Sequence, residues 1–242
     1  MNRHFNMLLR VLLALVCCAC FILQSKSLAL AQDSINIRHG NRSLPRIALT
    51  IDDCYDRQYI LEAIELCEVY HVAMTFFPIG NALKFADGSL WQRALDAGCE
   101  IGNHTWGHKK LTELNTREIH YQLLRTQQKI DEMLGYHYPM QVMRPPYGNA
   151  SKKVNQVVEA LGYSYVVRWD VSQTNADKAL KSVENGSILL YHARSKDIQC
   201  LRSLIPKLLS KGYQCVTVSE LMGLSPVAIS KEIYIYKRGE LP

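Results

Sequence analysis

From Arg46 onward, short apolar runs of strand length alternate with longer amphipathic stretches, and this rhythm constrains the fold more than any other feature of the chain. Residues 47–51, 72–77, 100–101, 141–143, 163–167, 187–191 and 214–218 read as strands, several apolar at consecutive positions, as strands buried on both faces must be. Between them, Ile60, Ile64, Leu66 and Val69 recur at near-helical spacing over residues 59–70, and a helix through residues 91–97 stops at Gly98. A long helix takes Thr116 as its N-cap, places Ile119, Leu123, Leu124, Ile130 and Leu134 on its apolar side, and ends at Gly135. Residues 151–161 before Gly162 and 198–209 before Gly212 continue the series. About seven alternations predict an α/β fold with about seven parallel strands closed into a barrel.

The first residues follow other rules. An apolar run over residues 7–23 has Arg3 and Arg10 at its start, no acid precedes Asp33, and Ala29-Leu30-Ala31 offers small residues at the positions a signal peptidase reads. Residues 1–31 are therefore expected to be a secretory signal peptide, or, given the length of the run, a membrane anchor. A linker over 32–44, a domain over 45–224 and a tail over 225–242 complete the expected organisation. The expected location is the periplasm, the cell envelope or the exterior.

The full chain carries a net charge of +6, which falls to +3 once Arg3, Arg10 and Lys26 leave with the first 31 residues. Without a basic stripe interleaved with aromatics, that mild excess does not suggest nucleic acid, and none is expected as a partner. Five of the eight cysteines lie beyond the signal: Cys54, Cys67, Cys99, Cys200 and Cys215. Their odd number and spacing match no zinc ribbon, and a monomer that buries a core of this size needs no disulfide staples, although an exported setting permits a disulfide whose pairing the sequence does not name.

The polar residues that suggest chemistry follow the strand runs, and in parallel α/β folds the carboxyl ends of strands open on one face. Asp52 and Asp53 close the first strand, where adjacent carboxylates are costly neighbours unless a cation or base separates their roles. His104 and His108, four apart, would share one face of a helical turn and, with Asp53, offer two nitrogens and an oxygen. Three such ligands leave positions open, as catalytic zinc sites do. Arg144-Pro145-Pro146-Tyr147-Gly148 fixes a guanidinium beside a rigid turn, able to fork onto a carboxylate. His192 ends the strand that contains Leu190.

Together, Thr50-Ile51-Asp52-Asp53, His104-Thr105-Trp106-Gly107-His108, Arg144-Pro145-Pro146-Tyr147 and Leu190-Tyr191-His192 resemble, in order and spacing, the motifs of the NodB-homology polysaccharide deacetylases, carbohydrate esterase family four. The resemblance spans roughly residues 45–223. It implies a distorted (β/α) barrel with fewer than eight strands. It also implies one divalent metal, zinc with cobalt or nickel as alternatives, on Asp53, His104 and His108. By the same resemblance Asp52 is the general base and Arg144 holds it in place. The Tyr147 backbone N–H faces the oxyanion, His192 is the general acid, and Leu190 shapes the acetyl pocket. The implied substrate is an N-acetylated glycan such as peptidoglycan or chito-oligosaccharide.

Two places depart from the family pattern. Cys54 stands where the family has glycine, either as a small buried hydrophobe or as an additional thiol near the metal. The family's Asp/Trp motif is degraded. Counting from Trp169 puts Asn175 and Ala176 where an aspartate partner for the acid histidine and a groove tryptophan belong, with Asp170 and Asp177 as other sources of the carboxylate. Trp169 and Asn175 are accordingly the expected substrate-groove residues. Two readings compete with N-deacetylation. One is the same chemistry on an O-acetyl ester or N-formyl sugar, and the other is a glycan-binding pseudoenzyme that kept the barrel and lost turnover.

Overall fold

In Arg46–Asp53 (β2), Ile47, Leu49 and Ile51 alternate with Ala48, Thr50 and Asp52, and all six are buried. Side chains alternate across a strand, so β2 has protein on both faces. Ile47, Leu49 and Ile51 belong to the larger apolar cluster, with residues of the surrounding helices. Ala48 joins a smaller cluster with Phe77, Val142, Val167 and Ile188, drawn from neighbouring strands. Thr50 and Asp52 share the inner face with Ala48, which places polar groups inside a ring of strands.

The computed structural model describes residues 35–85, 88–226 and 229. In it β2 pairs in parallel with β3 (Met74–Pro78) and with β7 (Ile188–His192). β4 (Glu100–Ile101) pairs with the far side of β3. A second parallel sheet contains β1 (Asn36–Ile37), β6 (Tyr165–Val167) and β5 (Val142–Met143), in that order. Two single parallel bridges, Asn103 to Met143 and Val171 to Leu189, join the sheets, so β2 through β7 form a closed, irregular ring. β8 (Gln214–Cys215) pairs with the first residues of β2. The expected distorted α/β barrel is thus present, with β1 as an addition in the stretch read as linker.

The helices are α1 (Arg57–Tyr70), α2 (Gly88–Asp96), α3 (Thr116–Leu134), α4 (Lys152–Ala160), α5 (Ala176–Ser182), α6 (Ser195–Ser210) and α7 (Val218–Leu221). Several boundaries shift by a few residues from expectation, and side-chain caps account for two of them. Asn115, not Thr116, caps α3, because its side chain accepts from the Glu118 N–H while Glu118 reaches back to the Asn115 N–H in a capping box. The strand expected over 214–218 stops at Cys215, since the Thr217 side chain accepts from the Glu220 N–H and starts α7.

No helix among the described residues is long and apolar enough to cross a membrane. The export signal or anchor read at 1–31 lies outside the described residues, as does most of the tail at 225–242. Cys54, Cys67, Cys99, Cys200 and Cys215 are all buried free thiols.

Candidate active site

The register of the ring brings the motifs together. β2 and β7 pair so that Asp52 lies opposite His192, and both strands end there. His104 follows β4, and Arg144 follows β5, joined to the preceding loop by its N–H to the Asn103 carbonyl at 2.8 Å. Asp52 and His192 thus sit at the carboxyl ends of their strands, and His104 and Arg144 lie just past the ends of theirs.

Asp52 is 4% exposed and Arg144 is fully buried. Arg144 Nη1 donates to Asp52 Oδ1 at 2.6 Å and to Thr50 Oγ1 at 2.7 Å. The expected fork onto the carboxylate is not formed. Nε and Nη2 instead donate at 3.3 Å to the carbonyls of Val167 and Arg168, while the guanidinium lies 4.4 Å from the Phe77 ring centre and 5.7 Å from that of Trp169. Burial pulls the Arg144 pKa below its ordinary value, with Asp52 opposing that pull. Because four acceptors hold Arg144, one Asp52 oxygen is fixed and the other, Oδ2, faces His104 Nε2 at 3.7 Å.

Asp53, His104 and His108 bring one potential ligand atom each within 4.8 Å of one another. Asp53 Oδ1 is 3.5 Å from His104 Nε2 and 3.6 Å from His108 Nε2, and this buried oxygen has no hydrogen-bond partner among the described residues. His104 Nδ1 lies 2.7 Å from the Arg144 carbonyl, a contact that requires Nδ1–H and turns the Nε2 lone pair toward Asp53. Burial, then neighbouring His104, lowers the His108 pKa and favours its neutral form. Burial raises the Asp53 carboxyl, but His104, His192 and His108 outweigh it and leave the pKa below the ordinary value. An orphaned carboxylate oxygen facing two imidazole nitrogens suits a divalent cation.

The two histidines do not sit on a helical turn. Thr105 and His108 have φ of +69° and +53°, so the backbone leaves helical geometry at both. Asn103 Oδ1 accepting from Thr105 N–H, Thr105 Oγ1 accepting from His108 N–H, and Gln122 accepting from Gly107 N–H hold it there. The imidazole centres end 5.0 Å apart.

Cys54 takes the glycine position with φ at +56°, and its thiol turns inward to donate to the Ile51 carbonyl. Burial, with Asp52 and Asp53 nearby, raises its pKa well above the ordinary thiol value. It is a buried side chain outside the Asp53–His104–His108 ligand group. Tyr147 also has positive φ, at +61°, and packs its ring edge-on against His108 at 4.9 Å between centres. Gly148 permits Trp169 to approach, since a Cβ there would lie 3.0 Å from that indole. Leu190 is buried opposite Thr50, on the inner side of β7.

Asn175 does not reach His192. Its side chain caps α5 by accepting from the Lys178 N–H. Asp170 and Asp177 are also committed elsewhere, to Arg42 and Ser187 and to Lys207 respectively. The carboxylate beside His192 is Asp197, fully buried in the first turn of α6, with Oδ2 3.6 Å from His192 Nδ1. The same oxygen accepts from the His192 N–H at 3.0 Å and from Arg194 Nε at 2.6 Å. Asp197 raises the His192 pKa above its ordinary value. Burial opposes the rise, Asp52 and Asp53 add to it, and Arg194 subtracts. An acid in the first turn of the helix after His192 was the sequence signal for this pair.

The family model for polysaccharide deacetylase matches residues 39–166. A peptidoglycan-N-acetylglucosamine deacetylase of Listeria monocytogenes is 34% identical over 188 residues, 74% of this chain and 39% of that protein. The peptidoglycan-N-acetylmuramic acid deacetylase of Bacillus subtilis is 31% identical over 72% of this chain and 38% of its own length. The chain thus spans about two fifths of the length of these curated relatives. Among solved structures, a family 4 carbohydrate esterase from Bacillus anthracis matches with a TM-score of 0.68 and 30% identity, covering 81% of this chain and 90% of that one. A restored-activity mutant of a pseudoenzyme of the same family matches at 0.71 and 26%, covering 79% and 72%.

Proposed function

Because this chain belongs to the polysaccharide deacetylase family, carbohydrate esterase family four, we propose that it hydrolyses the N-acetyl amide of an amino-sugar glycan to acetate and a free amine. The observation that carries the proposal is the Asp52–Arg144 pair set beside the Asp53–His104–His108 cluster, with His192 opposite.

An amide has a weak electrophile and a poor leaving group, so its hydrolysis needs water deprotonated, an oxyanion stabilised and the nitrogen protonated. A divalent ion, zinc or alternatively cobalt or nickel, held by Asp53, His104 and His108 would supply Lewis acidity toward water and the acyl carbonyl. Asp52 takes the proton from the attacking water through Oδ2, while Arg144 keeps the carboxylate in one orientation. The Tyr147 backbone N–H adds a donor for the oxyanion. His192, whose protonated form Asp197 favours, gives its proton to the departing amine. Leu190 and Trp169 line the acyl and sugar positions, and Asn175, committed to the cap of α5, takes no part in the site.

The peptidoglycan substrates of the relatives support an envelope glycan as the substrate here, which agrees with residues 1–31 acting as an export signal. A panel of N-acetylated and O-acetylated glycans, with acetate detection, tests the proposal. Release from N-acetyl substrates that stops with a chelator is expected. Release from O-acetyl xylan alone would assign an esterase instead.

A further inference from the structure

Exposed large apolar or aromatic side chains are few among the described residues: Leu44, Tyr55, Val69, Tyr121, Tyr147 and Ile229. Tyr55 and Tyr147 are each 57% exposed. Tyr147 places its ring against His108, and Tyr55 follows Asp53 by two residues. Neither ring belongs to an apolar cluster of the core.

The backbone explains why Tyr55 points outward. Asp53 and Cys54 both have positive φ, and the Cys54 side chain turns inward to the Ile51 carbonyl while Tyr55 emerges into solvent. The proximity of the two phenols and the carboxylate registers electrostatically. Burial first, then Asp53 and Tyr147, raise the Tyr55 pKa. The Lys110 ammonium lies 5.9 Å from the centre of the Tyr147 ring, on the same rim.

The reacting centre itself is occupied by polar groups: Asp52, Asp53, His104, His108, Arg144 and His192. A sugar whose acyl group reaches them must extend its ring outward past this rim. A pyranose ring carries C–H bonds on its faces and hydroxyls around its edge, so it presents an apolar, weakly positive face to an aromatic ring, whose own face is negative. A phenol that lies flat against such a face keeps its hydroxyl free for the sugar's edge or for water.

We propose that Tyr55, with Tyr147 beside it, forms a stacking rim for a pyranose ring adjacent to the sugar undergoing deacylation. Tyr55 is thereby a specificity-determining residue that favours oligosaccharides over single sugars. The inference rests on the deacetylase reading and names the substrate form that the site takes.

The test compares acetate release from an N-acetylglucosamine tetramer and from the monomer, for wild type and for Tyr55→Ala, Tyr55→Phe and Tyr55→Trp, all metal-loaded. Tyr55→Ala should raise KM for the tetramer about 2- to 10-fold, the range of a single aromatic contact, with a smaller effect on the monomer. Phenylalanine and tryptophan should restore tetramer KM, because the ring face and not the hydroxyl carries the contact. An equal loss on both substrates, or an unaltered tetramer KM, overturns the rim. If wild type releases no acetate from either substrate, the deacetylase reading fails. Calorimetric binding of the same tetramer then decides the rim on its own, with equal affinity of wild type and Tyr55→Ala counting against it.

Discussion

Asp197→Asn keeps the shape of a fully buried side chain and removes its charge from the neighbourhood of His192. The amide oxygen can still accept from the His192 and Arg194 N–H groups, and its NH2 would occupy the place of Oδ1, which has no hydrogen-bond partner among the described residues. His192 keeps 32% of its side-chain surface in solvent, which screens the pair. The lost stabilisation of the imidazolium therefore falls at the lower end of the range for hydrogen bonds to charged groups, about 1.5 kcal/mol. That corresponds to roughly a tenfold loss of rate where protonation limits turnover. His192 has a raised pKa and acts in its protonated form, so activity is present below that pKa and is lost as pH rises through it. Removing the Asp197 charge lowers the pKa, although Asp52 and Asp53 still favour the cation and Arg194 still opposes it. The alkaline limb of the kcat profile should move to lower pH. Rates below both limbs should stay within a few-fold of wild type, and rates on the wild-type alkaline limb should fall about tenfold. Stopped acetate assays across pH, with a thermal melt to show folding, read this directly. An alkaline limb that stays in place in a folded, metal-loaded variant would refute the Asp197–His192 coupling.

Three further outcomes follow from the same geometry. Arg144→Met leaves the Asp52 carboxylate buried without its cation and should cost about 3–5 kcal/mol of stability, visible as a lower denaturant midpoint; an unaltered midpoint would mean that water reaches Asp52 and replaces the partner. Chelation should abolish activity and added zinc or cobalt should restore it, while His104→Ala should lower metal content measured by elemental analysis; full metal content in that variant would remove His104 from the ligand set. Cys54, buried with its pKa raised, should resist alkylation in the folded protein at pH 8, and rapid labelling would place its thiol in the open site.

Much of the site was legible because its residues are tied to strand ends. Asp52, Asp53, His104, Arg144 and His192 each follow an apolar run, and a parallel barrel leaves such residues one face on which to meet. What escaped depends on contacts between segments with no periodicity. The loop that brings His104 and His108 together takes positive φ at Thr105 and His108, conformations secured by Asn103 and by Gln122 of α3. Motif counting sought the partner of His192 upstream near Asn175, whereas the chain supplies Asp197 from the helix that follows. The strand β1, two residues long, carries no alternation to read. Thr217 ends the last strand because a helix cap there competes successfully with continued pairing.

The proposed reaction assigns amide hydrolysis on a glycan to Asp52 and the Asp53–His104–His108 cluster. The most direct measurement is the simultaneous quantification of acetate and new primary amine from N-acetylated chito-oligosaccharide, with metal-loaded wild type and Asp52→Asn. Wild type should release the two products in equal amounts, and Asp52→Asn should keep its metal while turnover falls about 10²–10⁴-fold, the usual contribution of a general base. Binding of the oligosaccharide by wild type with neither product formed would contradict the account and assign the chain as a glycan-binding pseudoenzyme.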